Sequence, residues 1–173
     1  MRGTYTLIIF LSRETSIKVG QLGVKKFSKG YYTYTGSALG TGASSLKQRV
    51  SRHLRKTGKK KRWHIDFLLA DRNAAVIAVV AAQTDRKMEC ELNCYIKKEG
   101  VVRIPVSGFG SSDCKGNCGS HLLYFGEKGA IRKIVELYAE KLGFRPVVID
   151  FCNKSSVSRF PKVSNLFLHK DIT

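Results

Sequence analysis

The sequence predicts a domain of the broad α/β class (α+β): a small mixed, mainly antiparallel central sheet flanked by helices, with extra strands and a C-terminal helix. Three observations predict it. Short β-rich runs lie at residues 4–11, 16–22 and 31–35, with the continuous or alternating apolar patterns of strands. Helical periodicity appears over 46–54 and again over 128–142. And 173 residues that are 43% hydrophobic suffice for one sizeable core.

The elements follow in order. Thr4 to Leu11 is an apolar run that reads as a buried strand. Ser16 to Leu22 alternates polar and apolar, as a half-exposed strand does. Gly30 introduces Tyr31 to Thr35, rich in aromatic and β-branched residues; packing roles are expected for Tyr31 and Tyr32. Gly36, Gly40 and Gly42 break that strand before Ser44 or Ser45, either of which suits a helix N-cap. Leu46, Val50, His53 and Leu54 then recur at helical spacing while Lys47, Arg49, Arg52 and Arg55 fill the other faces, giving an amphipathic helix with a very basic exposed side. Thr57-Gly58 is expected to stop it. Trp63 to Leu69 reads as a short helix, Ala74 to Ala82 as a buried strand and Asp85 to Lys98 as a helix. Val101 to Ile104 and Leu122 to Phe125 look like short strands around a Gly/Ser/Cys-rich loop. Lys128 to Leu142 is a helix with Gly143 as its C-cap, and Val147 to Phe151 a last strand.

Thirty-one Lys plus Arg against 13 Asp plus Glu give a formal net charge of +18. A chain this basic attracts polyanions, and the stretch from Arg52 to Arg62 concentrates the charge into one footprint. A nucleic-acid partner is therefore expected, with Lys47, Arg52, Arg55, Lys56, Lys59, Lys60, Lys61, Arg62 and His64 as binding residues. His64 and Asp66 also fit a structural hydrogen-bonded pair. The first apolar run is too short for a signal peptide, and no run approaches the roughly 20 apolar residues of a membrane span. Five cysteines without a secretory signal favour reduced thiols or metal ligands over a disulfide framework. A cytoplasmic location, away from membranes, is expected.

Gly3-Thr4-Tyr5 lies on the first strand, Tyr34-Thr35-Gly36 ends the third, and Arg49 is carried by the following helix. Here the sequence resembles the GIY-YIG nuclease superfamily. It is most similar to the archaeal-type, Uri-like branch long catalogued as a domain of unknown function. The residues that carry the closer resemblance are Gly36-Ser37-Ala38, Arg52-His53-Leu54, Trp63-His64-Ile65-Asp66, Glu89-Cys90 and Phe109-Gly110-Ser111-Ser112-Asp113-Cys114, followed by His121-Leu122. The resemblance runs from about residue 3 to 125, so residues 1–126 are read as the nuclease-like domain. Residues 127–173 are read as a C-terminal helical and strand extension packed on it.

The resemblance implies a metal-dependent DNA endonuclease, in DNA repair, recombination or defence against foreign DNA. Tyr5 would activate water, Tyr34 would support it, Arg49 would clamp the phosphate, and a helical Glu would hold one Mg²⁺ or Mn²⁺. His53 matches a histidine one helical turn after the arginine. These residue types suit the chemistry: the Arg fork fits phosphate oxygens, and Mg²⁺ on a single carboxylate keeps most of its waters. Glu89 and Glu91 compete for the metal, because two residues apart means about 200° around a helix. The Glu89-Cys90 match places Glu89 first, while Tyr95-Ile96-Lys97 supports Glu91. Two departures stand out: both tripeptides have a central Thr, and neither Asn93 nor Asn117 matches well the asparagine that often follows the Glu helix. The alternative function is a non-catalytic DNA- or RNA-binding module that retains the nuclease fold.

Cys114, Cys118 and His121 are spaced as zinc-site loops often are, and Cys90 or His53 could supply a fourth ligand for a structural Zn²⁺. The other reading is a reduced loop in which Asp113 and His121 make ordinary hydrogen bonds. Cys94 and Cys152 are read as buried thiols.

Overall fold

The structure is a computed structural model in which residues 1–100, 102–112, 114, 116, 118–140 and 143–151 are described. Strands β1 (Gly3–Leu11), β2 (Thr15–Lys18), β3 (Val24–Phe27) and β4 (Gly30–Ala38) come first, then helices α1 (Leu46–Leu54) and α2 (His64–Leu69). Strand β5 (Ala74–Gln83), helix α3 (Glu89–Glu99), strand β6 (Leu122–Gly126), helix α4 (Ile131–Glu140) and strand β7 (Val147–Asp150) follow. The central sheet has the order β6-β4-β1-β5-β7, and β2 and β3 form a separate hairpin. Every pairing in it is antiparallel, in keeping with the mainly antiparallel sheet expected from the sequence.

Helices cover both faces of this sheet. On one face Leu7, Ile9 and Leu11 pack with Leu46, Val50, Ile65 and Leu68 from α1 and α2. On the other Ile8, Ala78 and Val80 pack with Leu92, Ile96, Ile134, Leu137 and Tyr138 from α3 and α4. Burial on both sides is why β1 and β5 read as continuous apolar runs. Thr4 and Thr6 are the polar exceptions on β1, and Thr6 faces the second core. Its hydroxyl lies 3.2 Å from that of Thr35 and 3.1 Å from Tyr138 Oη, so it is satisfied inside the second core.

Several boundaries differ from the sequence expectation. Ser16–Leu22 is not one strand, because Gly20 and Gly23 take positive φ and turn the chain into the β2–β3 hairpin. Helix α1 stops at Leu54, ahead of Thr57-Gly58; Lys59 Nζ bonds the His53 carbonyl at 2.8 Å, occupying an acceptor that the helix end leaves open. Helix α3 starts at Glu89 and not Asp85, since Arg86 N–H turns back onto Thr84 Oγ1 and Met88 N–H donates to Ser37 Oγ on β4. Helix α4 starts at Ile131 and not Lys128. Val102–Ile104 forms no strand, only one bridge from Arg103 to Tyr124. The expectations for Val101, Asp113, Asn117, Lys141, Leu142 and Cys152 fall outside the described residues. Among the described residues, no helix is long and apolar enough to cross a membrane.

Candidate functional site

Sheet register creates the cleft. Tyr5 pairs with Gly36 and Leu7 with Tyr34 across β1 and β4, so Tyr5 and Tyr34 share one face of the sheet. Gly36 has no side chain for a physical reason: a Cβ there would lie 2.6 Å from Tyr5 Oη. Gly110 does the same for the second ring. It has φ +71, and a Cβ would lie 2.7 Å from Tyr34 Cε2. Two glycines thus let two tyrosines lie against the backbone. The central threonines of both tripeptides point to the opposite face, where Thr4 Oγ1 donates to the Gly36 carbonyl at 3.2 Å.

The cleft has a volume of about 420 Å³, and Tyr5, Tyr34, Ser37, Arg49, Arg62, Trp63, His64, Lys87, Glu89 and His121 line it. Tyr5 Oη and His53 Nε2 are 2.9 Å apart. Burial, with the positive charges of Lys59, Arg52 and Arg49, pushes His53 down to about 3, so its ring is neutral near pH 7. Burial likewise raises Tyr5 well above the usual phenol value; neighbouring Tyr34 adds to this, and the Arg49 charge and hydrogen bond oppose it. Tyr5 is therefore a protonated phenol at rest. Arg49 stacks 4.7 Å from the centroid of the Trp63 ring, and its Nε is buried without an acceptor, as is His53 Nδ1 without a partner. A buried donor with no acceptor is costly, and the Arg49 side chain also lines the cleft.

Of the two competing carboxylates, Glu89 faces the cleft. It is 5% exposed, its Oε2 accepts a hydrogen bond from the Ser37 hydroxyl, and Lys87 Nζ lies 3.3 Å from Oε1. Glu91 points to solvent, 3.9 Å from Arg86. The Lys87 ammonium pairs with Glu89, so an incoming cation would have to displace it from the carboxylate. Ser37 was legible only as part of Gly36-Ser37-Ala38; its role of holding Glu89 comes from a contact spanning 52 residues.

The basic residues divide into three groups. Arg62 and His64 line the cleft. Gly110 N–H donates to His64 Nδ1 at 3.1 Å, so the neutral ring carries its proton on Nε2. Arg55, Lys60 and Lys61 are exposed, and Lys47 is half-buried away from the cleft lining. Arg52, Lys56 and Lys59 instead hold the fold. Arg52 lies 3.8 Å from the centroid of the Trp63 ring and bonds Asp66 Oδ2 at 2.5 Å. Lys56 bonds the Ala74 carbonyl at 3.1 Å. Asp66 is fully buried and also accepts the backbone N–H groups of Arg62 and Trp63, capping α2. Its role is structural.

Beside the cleft, Cys90, Cys114, Cys118 and His121 converge, with all ligand atoms within 4.8 Å of one another. The fourth member is Cys90; His53 is engaged with Tyr5. This is a candidate metal site. Asn93 is buried and its Nδ2 bonds the Ser120 carbonyl at 2.5 Å, strapping α3 to the cysteine loop. Cys94 is part-buried and lies outside the cluster.

No curated protein and no solved structure matches the chain. A family profile described as "Domain of unknown function DUF123" matches residues 4–144. The match begins on β1, continues past residue 125 to take in α4, and includes every cleft residue named above. The chain belongs to this family, the domain of unknown function DUF123.

Proposed function

We propose that the protein is a metal-dependent endonuclease of GIY-YIG type that hydrolyses phosphodiester bonds in DNA, in repair, recombination or defence. The observation that carries this reading is the convergence of Tyr5, Tyr34, Arg49 and Glu89 on one cleft, on a chain of net charge +18. Each of these groups answers a need of phosphodiester hydrolysis. The reaction requires a positioned water, stabilisation of charge on the phosphate oxygens, and help for the leaving oxygen.

Glu89, held by Ser37, fits a single hard cation, and a hydrated Mg²⁺ or Mn²⁺ there would neutralise phosphate charge and acidify a water for the leaving oxygen. The remaining tasks fall to the protein's own side chains. Arg49, braced by Trp63, lines the cleft and supplies the guanidinium that clamps a phosphate oxygen. His64, with its proton on Nε2, offers a second donor. Tyr5 orients the attacking water. As the water oxygen bonds to phosphorus, its proton passes to solvent, while Tyr5 Oη, held against His53 Nε2, keeps the water in line. The bond to the leaving oxygen breaks with its electron pair, and that oxygen takes a proton from solvent. Burial keeps the His53 acceptor lone pair available near pH 7.

A second reading is a nucleic-acid-binding module without turnover, and the firmly protonated Tyr5 favours it. Incubation of wild type, Tyr5→Phe and Arg49→Ala with supercoiled, branched and single-stranded DNA and matched RNA, with Mg²⁺ or Mn²⁺, separates the two. The endonuclease reading expects metal-dependent DNA cleavage that falls by about 100-fold or more in each variant. Salt-sensitive binding with no cleavage, or variants that cut as well as wild type, would overturn it. Preferential cutting of RNA would move the substrate class.

A further inference from the structure

We propose that Cys90, Cys114, Cys118 and His121 bind one thiophilic cation of the Zn²⁺ class, and that this ion positions the wall of the cleft that carries Glu89. The metal site stands apart from the endonuclease reading; its consequence for Glu89 rests on that reading.

The geometry points to a metal and away from a disulfide. The Sγ atoms of Cys114 lie 3.0 Å from those of both Cys90 and Cys118, and Cys90 is 3.9 Å from Cys118. Cys90 Sγ is also 3.5 Å from His121 Nε2. A disulfide would use two of these sulfurs at about 2.05 Å and leave a third thiol and an imidazole in the same small volume. A tetrahedral Zn²⁺ with Zn–S bonds of about 2.3 Å has S···S edges of about 3.8 Å and uses all four groups. Three sulfurs and one imidazole form a soft donor set, unlike the carboxylate and hydroxyl of the cleft.

The ligands belong to segments that build the cleft. Cys90 directly follows Glu89 in the first turn of α3. His121 lines the cleft, and its carbonyl accepts Thr35 N–H at 3.1 Å, beside Tyr34 on β4. Helix α3 grips the same loop through Asn93 on the Ser120 carbonyl and Lys97 on the Cys118 carbonyl, at 2.6 Å for the latter. Glu89, Asn93 and Lys97 are spaced four apart, so they share one helix face. An ion at the cluster closes this arrangement and fixes the start of α3 relative to β4.

The test uses the intact, untagged chain. Elemental analysis should find about one zinc per chain, lost in Cys114→Ser and in Cys118→Ser. Co²⁺ added in place of zinc should give thiolate charge-transfer absorption and the intense visible bands of a tetrahedral ion. Hydrogen–deuterium exchange should then be at least about tenfold faster across Met88–Asn93 and 118–121 once a chelator strips the metal from wild type. Chelation of folded wild type makes this readout independent of whether the serine variants fold. Purified protein without zinc and without a tetrahedral Co²⁺ spectrum overturns the metal site, as does a Cys114–Cys118 disulfide found under reducing conditions. Unchanged exchange after metal removal overturns the positioning role. A zinc-bearing chain that behaves as expected but cuts no DNA leaves this inference intact and removes only the endonuclease reading.

Discussion

Tyr5 and His53, 48 residues apart in sequence, share a 2.9 Å contact between Oη and Nε2. The pair joins the middle of the sheet to α1 and holds an uncharged imidazole under positively charged neighbours.

That imidazole should make folding acid-sensitive. Unfolded His titrates near 6.5 and folded His53 near 3, so between these values the unfolded chain binds the extra proton. Stability from this group is complete above about pH 6.5 and is lost as pH falls toward 3. Urea unfolding from pH 7 to 4 should show wild type losing stability faster than His53→Asn, by at most about 1.4 kcal/mol per pH unit. Equal slopes would mean that His53 takes up its proton as readily in the folded chain as in the unfolded one.

Gly36 is expected to tolerate no side chain. In Gly36→Ala the new methyl meets Tyr5 Oη at 2.6 Å and must displace the phenol from His53. The expected cost is about 1–3 kcal/mol, with cleavage falling at least about tenfold. Thermal melting and DNA cleavage by the variant measure both, and an unperturbed variant would show that the Tyr5 position is not critical.

Glu89 and Glu91 should separate cleanly. Glu89→Gln removes the buried carboxylate that Ser37 holds and should abolish Mn²⁺ binding measured by calorimetry. Glu91→Gln disturbs only an exposed 3.9 Å pair with Arg86 and should change stability by less than about 0.5 kcal/mol. The reverse pattern would transfer the metal-ligand role to Glu91.

Asp66 should matter for stability more than for catalysis. Asp66→Ala leaves Arg52 and the backbone N–H groups of Arg62 and Trp63 without their acceptor. A loss of about 3–5 kcal/mol in urea unfolding is expected, with far less effect on Mn²⁺ affinity at Glu89. A small change would contradict the structural role assigned to it.

Much of this protein is written locally. Strands β1, β4 and β5, the basic helix carrying Arg49 and an N-cap at Ser44 or Ser45 follow from periodicity and turn residues, because side-chain period and backbone conformation are properties of neighbouring residues. Tertiary structure alone decided that Glu89 and not Glu91 enters the cleft. It also showed that Arg52 and Asp66 brace the fold, and that Cys90 completes the cluster with Cys114, Cys118 and His121. These outcomes depend on sheet register and helix packing that bring distant segments together, as Ser37 meets Glu89 across 52 residues. The same holds for the net charge of +18: composition set its sign and size, and only packing determined which cations anchor the fold and which face the cleft.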